Sequence, residues 1–156
     1  MRNPLFIDHR ITLTSLAFVA NVAVRGRILL EETTADGFWM FGVNPGGINA
    51  SGRTMEDAYN VFCSRYRSTL LDLAERSSTF DLFKAQVEAL LNDTNEEYER
   101  LWQEARQQVR AGRSNVPELP RVTEDSTFSV AVTRLASSSP VHSVSEEVSL
   151  ALARAA

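Results

Sequence analysis

The hydrophobic residues of this chain change their spacing at Thr54, and this change constrains the fold more than any other feature. Before it, apolar and polar residues alternate, most clearly over Val22–Leu30, which indicates half-buried strands. After it, apolar residues recur every three or four positions to about Arg76, which indicates an amphipathic helix. The alternation returns over Phe128–Leu135. We therefore predict an α+β domain with a mainly antiparallel sheet of three to four strands.

The chain is expected to form one domain, because 156 residues can bury about 70% of their unfolded surface in a single core. Residues 1–21 precede the clearest strand and are predicted to be an extension, itself a strand. Residues 78–113 hold two amphipathic stretches joined by a short polar connection, which predicts an inserted antiparallel helical hairpin. Residues 136–156 are predicted to be a tail or a short helix.

Composition limits the classes of function. The net charge of -4 argues against direct nucleic-acid binding. No apolar stretch is long enough to span a bilayer, and we interpret the run Leu16–Val24 as a buried strand rather than the core of a signal peptide. Cys63 is a lone cysteine, so no internal disulfide can form, and we expect a cytoplasmic protein.

Catalytic chemistry has little support in the sequence. His9 and His142 lie near opposite ends of the chain, without a nucleophile elbow, and are interpreted as surface residues. Cys63 flanks the apolar stripe of the first helix, where an unreactive, half-buried thiol is expected. With two histidines and one cysteine a four-ligand zinc site cannot form without carboxylates. We predict no enzyme activity, cofactor or metal.

Turn and capping residues follow one another in a fixed order between the early strands and the first helix. Asp36-Gly37 predicts a hairpin turn, and Pro45-Gly46-Gly47 predicts a second turn. Just before the helix, Gly52 gives the backbone the conformational freedom to enter it, and Thr54 begins a capping box. The residues assigned to this motif are Asp36, Gly37, Pro45, Gly46, Gly47, Gly52, Thr54, Asp57 and Ala58.

This order of elements resembles the β-β-β-α core of HicB-like antitoxins, in which an aromatic-rich strand, a Pro-Gly turn and a short strand lead to a Gly-x-Thr helix start. The resemblance covers Val22–Arg76, and the segment Val116–Leu135 is similar to the family's proline-containing crossing and final strand. It implies a β-β-β-α-β fold and a HicA-like toxin as partner. The chain departs from the family in its N-terminal extension, its helical insertion and the lack of a DNA-binding domain after Leu135.

Our first hypothesis is a protein-interaction module, a HicB-like antitoxin or a solitary relative that occludes a partner protein. Trp39, Phe41 and Trp102 are the candidate partner contacts, because aromatic residues dominate interface energetics. The second hypothesis is a self-associating scaffold, with the inserted hairpin as a homo-oligomer interface. A homo-oligomer is expected in either case. The third is a small-molecule-binding protein or an enzyme that uses a pocket without a sequence motif.

Overall fold

The computed structural model describes residues 1–34, 37–113, 121–122, 127–136 and 151–155. In chain order its elements are β1 (Arg2–Thr14), β2 (Val19–Thr33), β3 (Gly37–Asn44), β4 (Asn49–Gly52), α1 (Met55–Arg76), α2 (Phe80–Asn92), α3 (Glu96–Arg110), β5 (Arg121–Val122), β6 (Ser129–Leu135) and β7 (Ala151–Ala155).

The described strands form one sheet of seven, in the order β4-β3-β2-β1-β7-β5, with β6 also beside β2. All pairings among these described strands are antiparallel except that of β5 with β7. The predicted α+β class with a mainly antiparallel sheet is confirmed. The sheet has more strands than the three to four expected, because the N-terminal extension forms a full-length partner of β2 and the C-terminal region contributes strands as well.

One edge of β2 is shared by two strands that lie end to end. Its second half pairs with β3, while its first half pairs with β6, with Val22 opposite Val132. Gly26 lies at the junction, where an added Cβ would be 2.6 Å from the carbonyl oxygen of Asn44. The β2–β3 register shifts just after it, at Arg27. The strand predicted from the alternation over Phe128–Leu135 is therefore present as β6, and it lies in the same sheet as β2 and β3.

The first two strands are joined by a tight turn that the spacing of apolar residues does not predict. Ser15 makes it, since its hydroxyl accepts from the backbone N–H groups of Ala17 and Phe18. Leu16 at the tip is fully exposed. The interpretation of Leu16–Val24 as one buried strand is therefore wrong at its start, because a serine side chain supplies the turn where glycine and proline are absent.

The entrance of α1 has the predicted capping box. The Thr54 hydroxyl accepts from the Asp57 N–H at 3.0 Å, and the Asp57 carboxylate accepts from the Thr54 N–H at 3.2 Å. Gly52 is required by close approach, since an added Cβ would overlap the backbone nitrogen of Ala58. These four residues fix the start of the helix against the end of β4.

The β3–β4 connection contains a cis peptide bond between Asn44 and Pro45. Gly46 packs against the residues that precede α3, and an added Cβ would lie 2.5 Å from the nitrogen of Asn95. Gly47 has no atom within 4 Å of such a Cβ, so its place in the motif has no steric cause. Gly37 has a φ of +81°, which suits the end of the β2–β3 hairpin, whereas Asp36 lies outside the described residues.

Each face of the sheet has its own cluster of buried residues. On the α1 face, alternate residues of β1 and β2 pack against α1 and α2, with Phe62 and Phe83 among the largest fully buried side chains. On the α3 face, residues of opposite parity pack against α3. This second cluster consists of Phe6, Leu29, Val43, Leu101, Trp102 and Ala105.

The two inserted helices are present, but their packing as an antiparallel pair is wrong, because α2 and α3 lie on opposite faces of the sheet. Between them the chain passes the β3–β4 turn. There the Gly46 N–H donates to the Asp93 carbonyl at 2.9 Å, and the Asn95 N–H donates to the Val43 carbonyl at 3.3 Å. Each helix buries its apolar stripe against the sheet.

The C-terminal residues Ala151–Ala155 form a strand, so a short helix is wrong for this part of the tail. They pair antiparallel with Leu5–Asp8 on the edge of β1 that β2 leaves open. Pairing satisfies the backbone groups of that edge, and this outweighs the helix propensity of an alanine-rich segment.

Candidate functional site

Three aromatic rings form a continuous row on the α3 face, beside β4. Trp39 and Phe41 stack with centroids 5.8 Å apart and an angle of 7° between ring planes, and Phe41 stacks on Tyr98 at 4.7 Å and 27°. All three residues are half-buried. We call Trp39, Phe41 and Tyr98 the aromatic row. The structure thus brings together two of the predicted contact residues and adds a third from α3.

The strand geometry explains why the row shares one face. Successive side chains of a strand point to opposite sides, so Trp39 and Phe41 lie on the side of buried Val43, and Met40 lies in the α1-face cluster. α3 begins beside the row, with Tyr98 in its first turn. Phe41 and Tyr98 pack against the edge of the α3-face cluster, while Trp39 lies outside it. The row therefore runs from the core towards solvent.

Carboxylates neighbour residues of the aromatic row, across the strand pair or along the chain. Glu31 is the cross-strand neighbour of Trp39 and forms a 3.3 Å ion pair with Arg2. Glu96 and Glu97 are exposed in the first turn of α3, where the helix dipole favours negative charge. Aromatic faces bordered by carboxylates attract cationic groups, because both the ring quadrupole and the formal charges favour a cation.

A polar network fixes α3, and with it Tyr98, on the sheet. Arg27 Nε donates to Asn44 Oδ1 at 2.8 Å and Nη1 donates to Glu99 Oε1 at 2.7 Å. Asn44 Nδ2 donates to the Thr94 hydroxyl at 2.6 Å. Burial acts to raise the pKa of Glu99, but hydrogen bonds from Gln103 and Arg27 and the charge of Arg27 bring it below its ordinary value. The helix is therefore held by charge-assisted hydrogen bonds as well as by apolar contact.

Trp102 anchors α3 and is not available to a partner, so its assignment as a partner contact is wrong. It is 1% exposed, and its indole N–H donates to the Leu5 carbonyl at 3.3 Å. The guanidinium groups of Arg27 and Arg106 lie 5.5 and 5.6 Å from its ring, and Phe6 packs edge-on at 5.4 Å. Trp102 lies on the buried stripe of an amphipathic helix, where a large aromatic residue completes the core.

His9 and Cys63 are titratable groups whose pKa values are shifted by burial. His9 is 4% exposed, so its interpretation as a surface residue is wrong, and it packs edge-on against Tyr66 with ring centroids 4.7 Å apart. Burial, with a smaller effect of Arg67, lowers the pKa of His9 from 6.5 to about 4. Burial raises the pKa of the half-buried Cys63 thiol against the effect of a hydrogen bond with Tyr59. At neutral pH the imidazole is uncharged and the thiol is protonated.

Two other kinds of site can be assessed in the described part of the chain. Within it, no three or more His, Cys, Asp and Glu side chains are grouped so that they could hold a metal ion. Among the described helices, none is both long and apolar enough to cross a membrane. His142 lies outside the described residues. The aromatic row is the candidate recognition site on the α3 face.

Comparison of this chain with models of protein families, with curated proteins and with solved structures finds no match.

Proposed function

We propose that the chain is a protein-interaction module that binds and occludes a basic partner protein through the aromatic row. A HicB-like antitoxin, or a solitary relative, is the kind of molecule that this proposal describes, and a small basic HicA-like toxin is the corresponding partner. The observation that carries the proposal is the stacked row of Trp39, Phe41 and Tyr98, which is half-buried and has Glu31 as the cross-strand neighbour of Trp39.

The chemistry of the row fits an arginine-rich partner. Trp and Tyr are enriched among the residues that contribute most to binding, because their rings bury a large area with few rotatable bonds. A guanidinium group can stack on Trp39, next to the carboxylate of Glu31, for which it would compete with Arg2. The chain carries a net charge of -4, which would also draw a basic protein towards it.

Self-association through the inserted helices has less support. The apolar stripes of both helices are used inside the domain, where Phe83, Val87 and Leu91 of α2 and Trp102 of α3 are buried. Leu82 is the large hydrophobic residue of these helices that is exposed among the described residues, at 42%. One such side chain provides too little apolar area for a stable homo-oligomer interface.

The test is co-expression with the small basic protein encoded beside the gene. The unchanged chain should relieve the growth arrest that this neighbour causes and should bind it in calorimetry. Trp39→Ala should weaken binding at least about tenfold, since a truncated hot-spot residue costs about 2 kcal/mol or more. Leu82→Ala, a matched truncation on the other face, should bind like the unchanged chain.

Two results would count against the proposal in different ways. A neighbourhood without a growth-arresting protein would rule out the toxin pairing. Equal binding by the unchanged chain and Trp39→Ala would remove the aromatic row as the binding surface. Far-UV circular dichroism and thermal melts of both variants would show that their folds are intact. Trp39 lies outside the buried clusters, so its truncation should leave the fold in place.

A further inference from the structure

The strand β4 presents an edge whose backbone direction can be read from one hydrogen bond. β4 is the last of the described strands in the sheet order, and the carbonyl of Ile48, just before it, accepts from the Gly42 N–H at 2.7 Å. Both backbone groups of a strand residue point to the same side, and that side alternates along the strand. Ala50 therefore faces β3, while the N–H and C=O groups of Asn49 and Ser51 face away from the sheet.

A groove lies at the start of this edge, between Asn49 with the two residues before it and the exposed flank of α1. Its volume is about 340 Å³. It is lined by Gly47, Ile48, Asn49, Ser64, Arg65, Ser68 and Thr69. The α1 side of the groove therefore carries hydroxyl groups and one guanidinium, and the β4 residue that lines the groove is Asn49, whose carbonyl faces outward. Such a groove can hold an extended segment, with main-chain hydrogen bonds on one side and polar side-chain contacts on the other.

Arg65 covers the outward edge in the described structure. Its Nη1 donates to the Asn49 carbonyl oxygen at 2.6 Å and contacts Asn49 Oδ1 at 3.3 Å. The arginine side chain is exposed, so this contact competes with water and is readily exchanged for another. A charged side chain over an edge strand also discourages unwanted pairing with other chains. Arg65 thus hydrogen-bonds to the outward edge of β4 and can be displaced from it.

We infer that the partner binds by adding a strand to β4, with Arg65 displaced from the Asn49 carbonyl. This inference rests on the proposed function, and the occupant is an extended segment of the same basic protein. The added strand would exchange main-chain hydrogen bonds with Asn49 and Ser51. Side chains on one of its faces would meet the hydroxyl groups of α1, and those on the other would lie on the α3 face.

The placement of Ser51 connects this edge to the aromatic row. Ser51 is the cross-strand neighbour of Trp39, and Asn49 is that of Phe41. Neighbouring strands are about 4.8 Å apart, so an arginine of the added strand can reach across Ser51 to the face of Trp39. One extended segment would therefore supply main-chain bonds to β4 and a cation to the row, which explains why both features lie at the same end of the sheet.

Ser51→Pro is the decisive variant. Proline removes the outward N–H of Ser51 and leaves the bonds between β3 and β4 in place, because that N–H faces away from β3. Ser51→Ala is the matched control, since it removes the hydroxyl and keeps the N–H. With the small basic protein encoded beside the gene as the probe, Ser51→Pro should bind at least about tenfold more weakly than Ser51→Ala. Arg65→Ala should bind about fivefold more tightly than the unchanged chain, because the edge no longer has to be uncovered.

A measurement on the unchanged protein tests strand addition even if the proline variant fails to fold. Amide hydrogen exchange of Ser51 should slow at least about tenfold in the complex, as expected for an N–H that gains a strand partner. Full binding by Ser51→Pro, or unchanged exchange at Ser51, would overturn strand addition. If Trp39→Ala still weakened binding in that case, the proposed function would stand without it. If the probe did not bind the unchanged chain at all, both proposals would fall.

Discussion

The buried imidazole of His9 should make the stability of the fold depend on pH. The pKa of His9 falls from 6.5 to about 4 on folding, mainly because burial disfavours the charged ring. Between these two values the unfolded chain holds a proton that the folded chain does not. The free energy of unfolding therefore decreases as the pH falls through this window, and the stability is fully present above about pH 6.5.

The size of the effect follows from the shift. Each pKa unit corresponds to about 1.4 kcal/mol, so the full window is worth about 3 kcal/mol. At pH 5 the unfolded imidazole is almost fully protonated and the folded one is still mostly neutral, which gives a loss of about 2 kcal/mol relative to pH 7.5. His9 is 4% exposed, so solvent screening reduces this figure little.

Urea denaturation of the unchanged chain and of His9→Phe, at pH 7.5 and pH 5.0, measures this contribution. Phenylalanine keeps a ring against Tyr66 and cannot take up a proton. The unchanged chain should lose about 2 kcal/mol more than the variant over this interval. Carboxylates and His142 are present in both proteins, so their effects cancel in the comparison. Equal losses in the two proteins would refute the assignment of a depressed pKa to His9.

The remaining predictions concern stability at neutral pH, measured by urea denaturation with far-UV circular dichroism. Thr54→Ala removes half of the capping box and should cost about 1 kcal/mol. Gly42→Ala would drive a Cβ into the Pro45 carbonyl oxygen and should cost about 2 kcal/mol or more, whereas Gly47→Ala meets no atom within 4 Å and should change little. Trp102→Ala should lower the free energy of unfolding by about 4 kcal/mol because it leaves a cavity in the α3-face cluster. If Gly42→Ala were as stable as Gly47→Ala, the close approach at the β3–β4 turn would be disproved.

Local sequence signals predict much of the secondary structure. α1 begins at the Thr54 capping box and ends at Arg76, as its apolar spacing indicates. The patterns Ser78-x-x-Asp81 and Thr94-x-x-Glu97 predict capped starts for the other two helices, each one residue before the observed cap. Thr79 caps α2, where Ser78 also fits, and Asn95 caps α3, where Thr94 also fits. Adjacent residues that can all accept the same backbone N–H cannot be ranked from sequence, so such boundaries stay uncertain by a residue.

The faces occupied by α2 and α3 depend on information that the helices do not contain. An amphipathic stripe shows that a helix packs on something and does not say on which side of a sheet. A hint exists in β2, where Ile28-Leu29-Leu30 is apolar on both faces. Leu29 is fully buried against the α3-face cluster, and Ile28 and Leu30 are buried on the other side. A run of this kind indicates cover on both faces at that point.

The residues of the candidate site, too, could be predicted only in part from the sequence. Trp39 and Phe41 could be selected from sequence as aromatic residues of a short strand. Tyr98 could not be distinguished from the core stripe of α3, because its exposure depends on where the helix begins over the sheet. Arg65 carries no motif, and its importance comes only from its contact with Asn49, sixteen residues away. The roles of Tyr98 and Arg65 both depend on contacts between distant segments of the chain.

The chain passes around the end of the sheet, from α2 on one face to α3 on the other. This path limits which segments can be deleted from the protein. Excising Ser78–Arg113 and joining the ends would strip apolar cover from both sides of the strands at once. The shortened chain would then be expected to aggregate rather than fold into a smaller sheet. The two inserted helices complete the core on both faces of the sheet, so they are not an appendage that can be removed without loss of the fold.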